Sequence, residues 1–325
     1  MKLVIFSCCI NEEKTIGKLL ERIPKKIKGI DEIKTLVIDD GSSDNTARIA
    51  KEHGALVVPN VSQKHLAYSF QVAVDKVLEM EADIAVNIDG DLQFNPAEIP
   101  LLVKSILDKK ADFVAGDRFT DKETGSKRRP ENMPITKYYA NKLGTFVVSR
   151  LSGQKFSDVT CGFRAYNRKA LLSINIGSNY TYTQESFQIL AFKKMNIVQV
   201  PVNVKYYPGR KSRVVVNFFS FLLSSTLNIL RSFRDYAPLS FFGMIGFITF
   251  LLSIFISIPP IVHFIRSGNF SPYKSFGIAG IYLFTLSIII WLFGLLADIF
   301  ARVLSNQEKI LHFLKQIKYN KREKK

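Results

Sequence analysis

Short apolar runs alternate with amphipathic stretches through the first 120 residues. The runs KLVIFSCCI, TLVIDD, ALVVP, IAVNID and ADFVAGDRF read as buried strands, because each is short, apolar and rich in β-branched residues. Apolar positions at helical spacing between them predict helices over Thr15–Ile27, Thr46–His53, Leu66–Met80 and Pro96–Lys109. Strands that are apolar throughout, joined by helices, imply a sheet covered on both faces. The prediction is a doubly wound, mainly parallel α/β fold. The basic-then-apolar opening MKLVIFSCCI resembles the start of a signal peptide, but it ends at Asn11-Glu12-Glu13 without a small-residue cleavage site. It therefore reads as the first strand.

Between Thr120 and Tyr206 the pattern is less regular, with KRRPEN, DVTCGFRAYN and NYTYTQESF as loops or short elements around a helix over Ile135–Ser152. Long polar loops in a compact domain carry function. From Val214 to Phe233 the chain is helical, strongly apolar and flanked by arginines, which suits an interfacial helix on a bilayer or a core helix of the preceding domain. Two further windows, about 238–265 and 276–303, each exceed the ~20 apolar residues that cross the ~30 Å of hydrocarbon. Pro259-Pro260 falls near the far end of the first, where a kink costs least. Asp298 falls near the end of the second, either as an interfacial carboxylate beside Arg302 or as a functional intramembrane group. The expected organisation is a cytoplasmic domain over 1–213, an interfacial helix over 214–235, two spans within 236–304 and a basic tail over 305–325.

Net charge changes that picture only in orientation. Of a total of +17, the excess basic residues collect beside the spans, including Arg231, Arg234, Lys309, Lys315 and Lys318, while the link between the spans carries only Arg266 and Lys274. The positive-inside rule then puts the N-terminal domain and both termini in the cytoplasm, and anionic headgroups account for the basicity without nucleic acid. Three cysteines, Cys8, Cys9 and Cys161, offer neither a disulfide framework nor zinc-ligand spacing and fit a reducing compartment.

Polar residues gather where a doubly wound sheet places its ligands, at the carboxyl ends of strands. Asn11 and Glu12 end the first strand, Asp39 and Asp40 the second, Asp89 and Asp91 the fourth, Asp117 and Arg118 the fifth. No GxGxxG or GxxxxGK[ST] follows a strand, so a Rossmann dinucleotide site or a P-loop is not supported. Asp89-Gly90-Asp91 alone is as consistent with a turn as with a metal site. At a strand end, however, two carboxylates can hold Mg²⁺ or Mn²⁺ while substrate phosphates fill the remaining positions, and such a cation stabilises a diphosphate leaving group.

The segments VIDDGSSDNT (37–46), NIDGDLQFNP, GDRF and DVTCGFRAYNRKAL (158–171) resemble the family 2 glycosyltransferases of the GT-A fold. The polyprenyl-phosphate branch, the dolichol-phosphate mannose synthase and bactoprenol glucosyltransferase type, is the nearest look-alike, over roughly residues 3–213. The resemblance implies donor contacts at Cys9, Asn11, Glu12, Asp39, Asp40, Asp89, Gln93 and Arg118, with Asp44 capping the following helix. It implies a cation on Asp89 and Asp91, and catalytic roles for Asp91, Asp158, Glu185 and Arg118. Gln184-Glu185 resembles an acidic pair near the acceptor, and Gly162-Phe163-Arg164 a wall of the sugar pocket. Acceptor or phosphate contacts would come from Arg128, Arg129, Arg164 and from Arg210, Lys211, Ser212 and Arg213 in YPGRKSR. Two departures stand out: Cys8 and Ile10 replace the usual Pro and Tyr, and Asp117 replaces a Ser, which adds a negative charge near the donor.

The implied partners are a UDP- or GDP-linked sugar, a polyprenyl phosphate, the bilayer and further copies of the chain. The implied reaction is inverting transfer of the sugar to the lipid phosphate. Transfer to another lipid or polysaccharide acceptor, or a catalytically silent nucleotide-binding membrane scaffold, are the competing readings.

Overall fold

The computed structural model describes residues 1–60, 63, 65–177, 182–207 and 218–319. Seven strands form one sheet: β1 (Lys2–Cys9), β2 (Glu32–Asp39), β3 (Leu56–Pro59), β4 (Ile84–Asn87), β5 (Phe113–Asp117), β6 (Arg164–Asn167) and β7 (Ile197–Pro201), in the order β3-β2-β1-β4-β6-β5-β7. All pairings are parallel except those of β6, which runs antiparallel to both β4 and β5. The expected sheet is therefore present with one reversed strand inserted. RAYN falls in a stretch expected as loops or short elements, because four residues give too short a run to show a period.

Alternation along β1 sends side chains to two separate cores. Val4 and Phe6 join Leu36, Ile38, Phe70 and Tyr166 on one face; Leu3 and Ile5 join Val37, Ile84, Leu102 and Val114 on the other. Helices α1 (Ile16–Glu21), α2 (Thr46–Glu52), α3 (Leu66–Glu79) and α4 (Ile99–Leu107) connect the early strands, with a 3-10 turn at Pro96–Glu98 ahead of α4. The first helix ends well before Ile27. Pro24 lacks a backbone N–H and disfavours helical geometry at Ile23, yet Ile23 and Ile27 stay buried.

Helix α5 spans Ile135–Ser152, as its periodicity predicts, and α6 (Arg168–Ser173) and α7 (Thr183–Phe192) complete the sheet's cover. Three long helices follow: α8 (Phe218–Tyr236), α9 (Pro238–Ser267) and α10 (Lys274–Tyr319). The chain divides into two compact units, one of Met1–Ile229 with His312–Lys325, the other of Leu230–Leu311.

Within the second unit, α9 and α10 are each long and apolar enough to cross a membrane. Gly246 faces the Trp291 ring and Gly280 the Ser257 hydroxyl so closely that a Cβ fits at neither; small residues let apolar helices approach. Asp298 takes two hydrogen bonds from the Arg302 guanidinium, at 2.8 and 3.1 Å, the interfacial pairing rather than an isolated charge.

Residues 305–319, expected as a tail, continue α10. Its last turns belong to the first unit: Lys315 donates to the Ile174 carbonyl at 3.1 Å, Arg168 to the Tyr319 carbonyl at 3.0 Å, and Tyr319 is buried. The periodicity there is helical, but a run of lysines reads as solvated until its contacts are seen.

Candidate functional site

Strand order reverses between β1 and β4, since β2 and β3 lie to one side of β1 and β4 to the other. The carboxyl ends of these strands open a crevice there. Register brings Cys9 beside Asp39 and Phe6 beside Asn87, so the residues following each strand meet at one edge.

The first group at that edge is a loop cage. Asn11 takes a left-handed φ of 53°, which asparagine tolerates; its N–H donates to Ser42 Oγ at 2.9 Å and its Oδ1 accepts from the Ser43 N–H at 2.8 Å. Glu12 accepts from Thr15 Oγ1 at 2.9 Å. Asp39 accepts from the Ser42 N–H at 3.3 Å and from its hydroxyl. Asp40 Oδ1 accepts from Asn60 Nδ2 at 2.8 Å and Ser69 Oγ at 2.9 Å. Asp44 accepts from the Thr46 N–H at 3.0 Å, a cap at the start of α2 although Asn45 holds the N-cap position. Cys9 is buried, its thiol pushed up to about 12 by that burial, so it packs and does not ionise.

Asp89 and Asp91 follow β4. Asp91 Oδ1 accepts from the Gln93 N–H at 3.0 Å, and Gln93 shares their half-buried setting. Burial, followed by the charge of Asp91, pushes the Asp89 carboxyl up to about 7. Gly162 makes room for that carboxyl, and Gly90 for the Cys9 thiol. A Cβ on Gly162 would fall 2.7 Å from Asp89 Oδ2, and one on Gly90 would fall 2.6 Å from Cys9 Sγ, both inside van der Waals contact. The Asn87 amide fixes the same wall, donating to the Gly162 carbonyl at 2.7 Å and to the Tyr182 hydroxyl at 2.5 Å.

Arg118 and Asp158 form the third group. Arg118 Nε and Nη2 clamp both Asp158 oxygens at 2.7 and 2.9 Å, Nη2 also reaches Thr160 Oγ1 at 2.6 Å, and Nη1 reaches the Tyr206 hydroxyl at 3.1 Å. Burial opposes ionisation of Asp158, but the Arg118 charge and hydrogen bonds hold its carboxyl below the usual range. At 0% exposure, Asp158 holds the Arg118 guanidinium at two points.

The Arg164 guanidinium is fully buried and donates to the carbonyls of Cys161, Val159 and Thr183 and to Ser186 Oγ at 2.6–3.0 Å, over the rings of Phe113, Tyr182 and Phe187. It props the chain between β6 and α7 from inside. The Asp117 carboxylate accepts from the Phe119 N–H at 2.8 Å and from the Thr120 hydroxyl. Arg128 folds back on Asp121 at 2.7 Å and Asn203 at 3.0 Å, and Arg129 on the Met133 carbonyl at 3.2 Å. Glu185 opens α7 and accepts from the Gly177 N–H at 2.8 Å. Arg210, Lys211, Ser212 and Arg213 lie outside the described residues.

The pattern missed Lys137. It sits in the first turn of α5, its Nζ 5.0 Å above the Tyr206 ring. Burial, then the Arg118 charge, lowers its pKa, while the charges of Asp91 and Asp89 pull the other way, so this ammonium lies within electrostatic reach of the carboxylate pair. One lysine in KYYANK carries no motif; the missing signal is tertiary.

No cluster of three His, Cys, Asp or Glu side chains forms a metal cage among the described residues. The carboxylate pair still fits a hard cation that takes its other ligands from water and phosphate. Two like charges held together in a half-buried crevice are what such an ion relieves.

The model of Glycosyl transferase family 2 matches residues 4–174. Two archaeal relatives resemble the chain. The UDP-N-acetylglucosamine--dolichyl-phosphate N-acetylglucosaminyltransferase of Methanococcus voltae is 27% identical over 64% of this chain and 88% of its own length. The dolichyl-phosphate hexose transferase of Haloferax volcanii is 32% identical over 61% of this chain and 81% of its own. Among solved structures, glucosyl-3-phosphoglycerate synthase from Mycobacterium tuberculosis, in complex with Mn²⁺, UDP and glucosyl-3-phosphoglycerate, shares the fold with a TM-score of 0.54. The match covers 72% of this chain and 79% of that one at 19% identity.

Proposed function

The chain belongs to glycosyl transferase family 2, and from that premise we propose that it is a membrane-bound hexosyltransferase moving a sugar from a nucleotide sugar to a polyprenyl phosphate. The observation that carries this reading is the pairing of Asp89 and Asp91 at the switch point with the cations Arg118 and Lys137 facing them, in a chain with two candidate spans. The names of the archaeal relatives point to dolichyl-phosphate acceptors. UDP and GDP donors both fit the reading, as do a cytoplasmic catalytic unit and both termini on that side.

In the reaction an acceptor phosphate oxygen attacks the anomeric carbon as the bond to the nucleoside diphosphate breaks, and the diphosphate leaves with the electron pair, inverting the centre. A phosphate monoester with a second pKa near ~6 is already largely dianionic at neutral pH. It needs charge compensation and alignment rather than a strong base. Lys137 supplies charge at the crevice mouth; Asp158 and Tyr206 orient Arg118; Asn11, Glu12, Asp39 and Asp40 form the donor cage. A Mg²⁺ or Mn²⁺ ion on Asp89 and Asp91 would stabilise the departing diphosphate.

Incubating membranes that carry the chain with a panel of labelled nucleotide sugars and extracting the lipid tests the reading. Label should appear in an acid-labile polyprenyl-phosphate sugar. Label only in diacylglycerol or in polymer would transfer the reading to another acceptor, and no turnover or donor hydrolysis with intact nucleotide binding would favour a silent scaffold.

A further inference from the structure

Helix α10 is 46 residues long, and a span of ~20 residues accounts for about half of it. Its apolar positions do not stop where the span can end. Ile299, Val303, Ile310, Phe313 and Ile317 are 50–75% exposed, and the exposed Asn306 falls among them. Successive members of this series lie four, three, four, three and four residues apart. That alternation is a seven-residue repeat, which lines the side chains up on one seam of a left-handed supercoil. The chain's own catalytic unit takes a different face: Lys315 and Tyr319, which dock on that unit, point away from the seam at helical spacing.

We propose that this seam pairs with the α10 of a second copy as a parallel coiled coil, beginning in the last turns of the span and continuing to Ile317. Two copies inserted the same way in one bilayer send their α10 helices out through the same face, parallel, as a heptad seam with a two-fold axis needs. Val303, Ile310 and Ile317 share one of the two seam positions, where two parallel strands favour β-branched residues. Asn306 meets its own copy across the axis, and each amide finds a partner there. Out of register it would face an apolar residue, so this one polar position fixes the alignment.

The borders of the seam agree with that register. Arg302 stands opposite Gln307 of the second copy and Lys309 opposite Leu314, so no like charges meet. A bilayer surface is the poorer occupant, because a straight helix carries Ile317 roughly 20 Å beyond Val303 at ~1.5 Å per residue. Pairing the helices also joins two catalytic units, since Lys315 and Tyr319 hold the outer turns of each α10 to its own unit. The proposal stands whichever sugar and acceptor the chain uses.

Single cysteines in the full chain test the seam, in vesicles of phosphatidylcholine and phosphatidylglycerol at two lipid-to-protein ratios. Cys9 and Cys161 are buried, and the unsubstituted chain is the blank for Cys8. Under copper phenanthroline, Ile310→Cys should form a disulfide-linked dimer at least about tenfold faster than Ser305→Cys. Ser305 is exposed, two heptads before Tyr319 and on its face. Phe313→Cys serves if Ile310→Cys folds poorly. Adding Ile310→Asp to the Phe313→Cys chain puts an unpaired charge in the seam and should slow the cross-link by about tenfold. Equal rates at Ile310→Cys and Ser305→Cys, or a rate that falls in proportion to added lipid, would mean chance encounters and overturn the proposal. So would an Ile310→Cys thiol that gives no dimer, whether it reacts with a water-soluble maleimide, as on a solvated helix, or resists it, as on a face covered by lipid.

Discussion

Two groups of charges act on one another at the ends of the strands, and they differ in how burial and charge balance within each. Around Arg118 and Asp158 nearly every donor and acceptor is spent: a two-point clamp, a threonine, a tyrosine, and complete burial of the acid. Around Asp89 and Asp91 the balance is unresolved, with one carboxyl forced up to about 7 by burial and by its neighbour. Buried charges that are paired hold structure. Like charges held close together in a buried setting point to a cationic ligand.

The largest expected effect breaks the unresolved side. Asp91→Ala should lower transfer by several kcal/mol of transition-state stabilisation, roughly 10³–10⁴ in kcat, with the denaturation midpoint nearly unchanged. Labelled-lipid assays and urea unfolding on the same preparation separate the two. Robust turnover by Asp91→Ala would remove the carboxylate pair from the chemistry.

Asp158→Ala should do the reverse and act first on stability. It strands the Arg118 guanidinium in a buried site, which costs about 3–5 kcal/mol. Arg128→Ala, at an ion pair whose arginine is 43% exposed, should change stability by less than about 1 kcal/mol. Equal denaturation midpoints for the two variants would contradict the contrast drawn between buried and exposed pairs.

The difference between these groups also separates what the sequence discloses from what it hides. Strand ends at Asp39, Asp89 and Asp117, and the helix over Ile135–Ser152, follow from periodicity because one face of each element must be buried. Residue type at a strand end says that charge is present and not whether it is already engaged. Hence the motif gives no sign that Asp158 is clamped by Arg118 or that Arg164 is bonded to three carbonyls. Lys137 shows the converse, a site-facing cation in a stretch with no pattern, brought there by the packing of α5. The reversed strand β6 was hidden for a related reason, since its four residues gain their identity from the strands on either side.

Lys137 allows a sharper test of the same contrast. Lys137→Met keeps the length and apolar stem but removes the charge that faces Asp89 and Asp91, and should lower kcat/KM by about 10–100-fold. Lys137→Arg should recover part of that loss. A brace would instead show up in the unfolding midpoint, so a large stability change with kinetics intact would assign Lys137 to the other group.

The smallest effect is a slope with pH. Because burial and Asp91 raise the Asp89 pKa to about 7, a proton occupies that carboxyl below neutrality and competes with a cation, whereas above it both acids are charged. Mn²⁺ affinity of the purified full chain without donor, followed by paramagnetic relaxation of water protons, should therefore fall by up to about tenfold per unit as pH drops below 7. It should level off above about 8. Lys137 acts against the rise in Asp89, since its positive charge favours the ionised acid, so Lys137→Met should move the inflection upward. Asp158 cannot produce this slope, because Arg118 keeps it ionised far below that range. A flat profile between about pH 6 and 8 would mean that Asp89 is already compensated, and the two sides of the crevice would then differ less than their contacts imply.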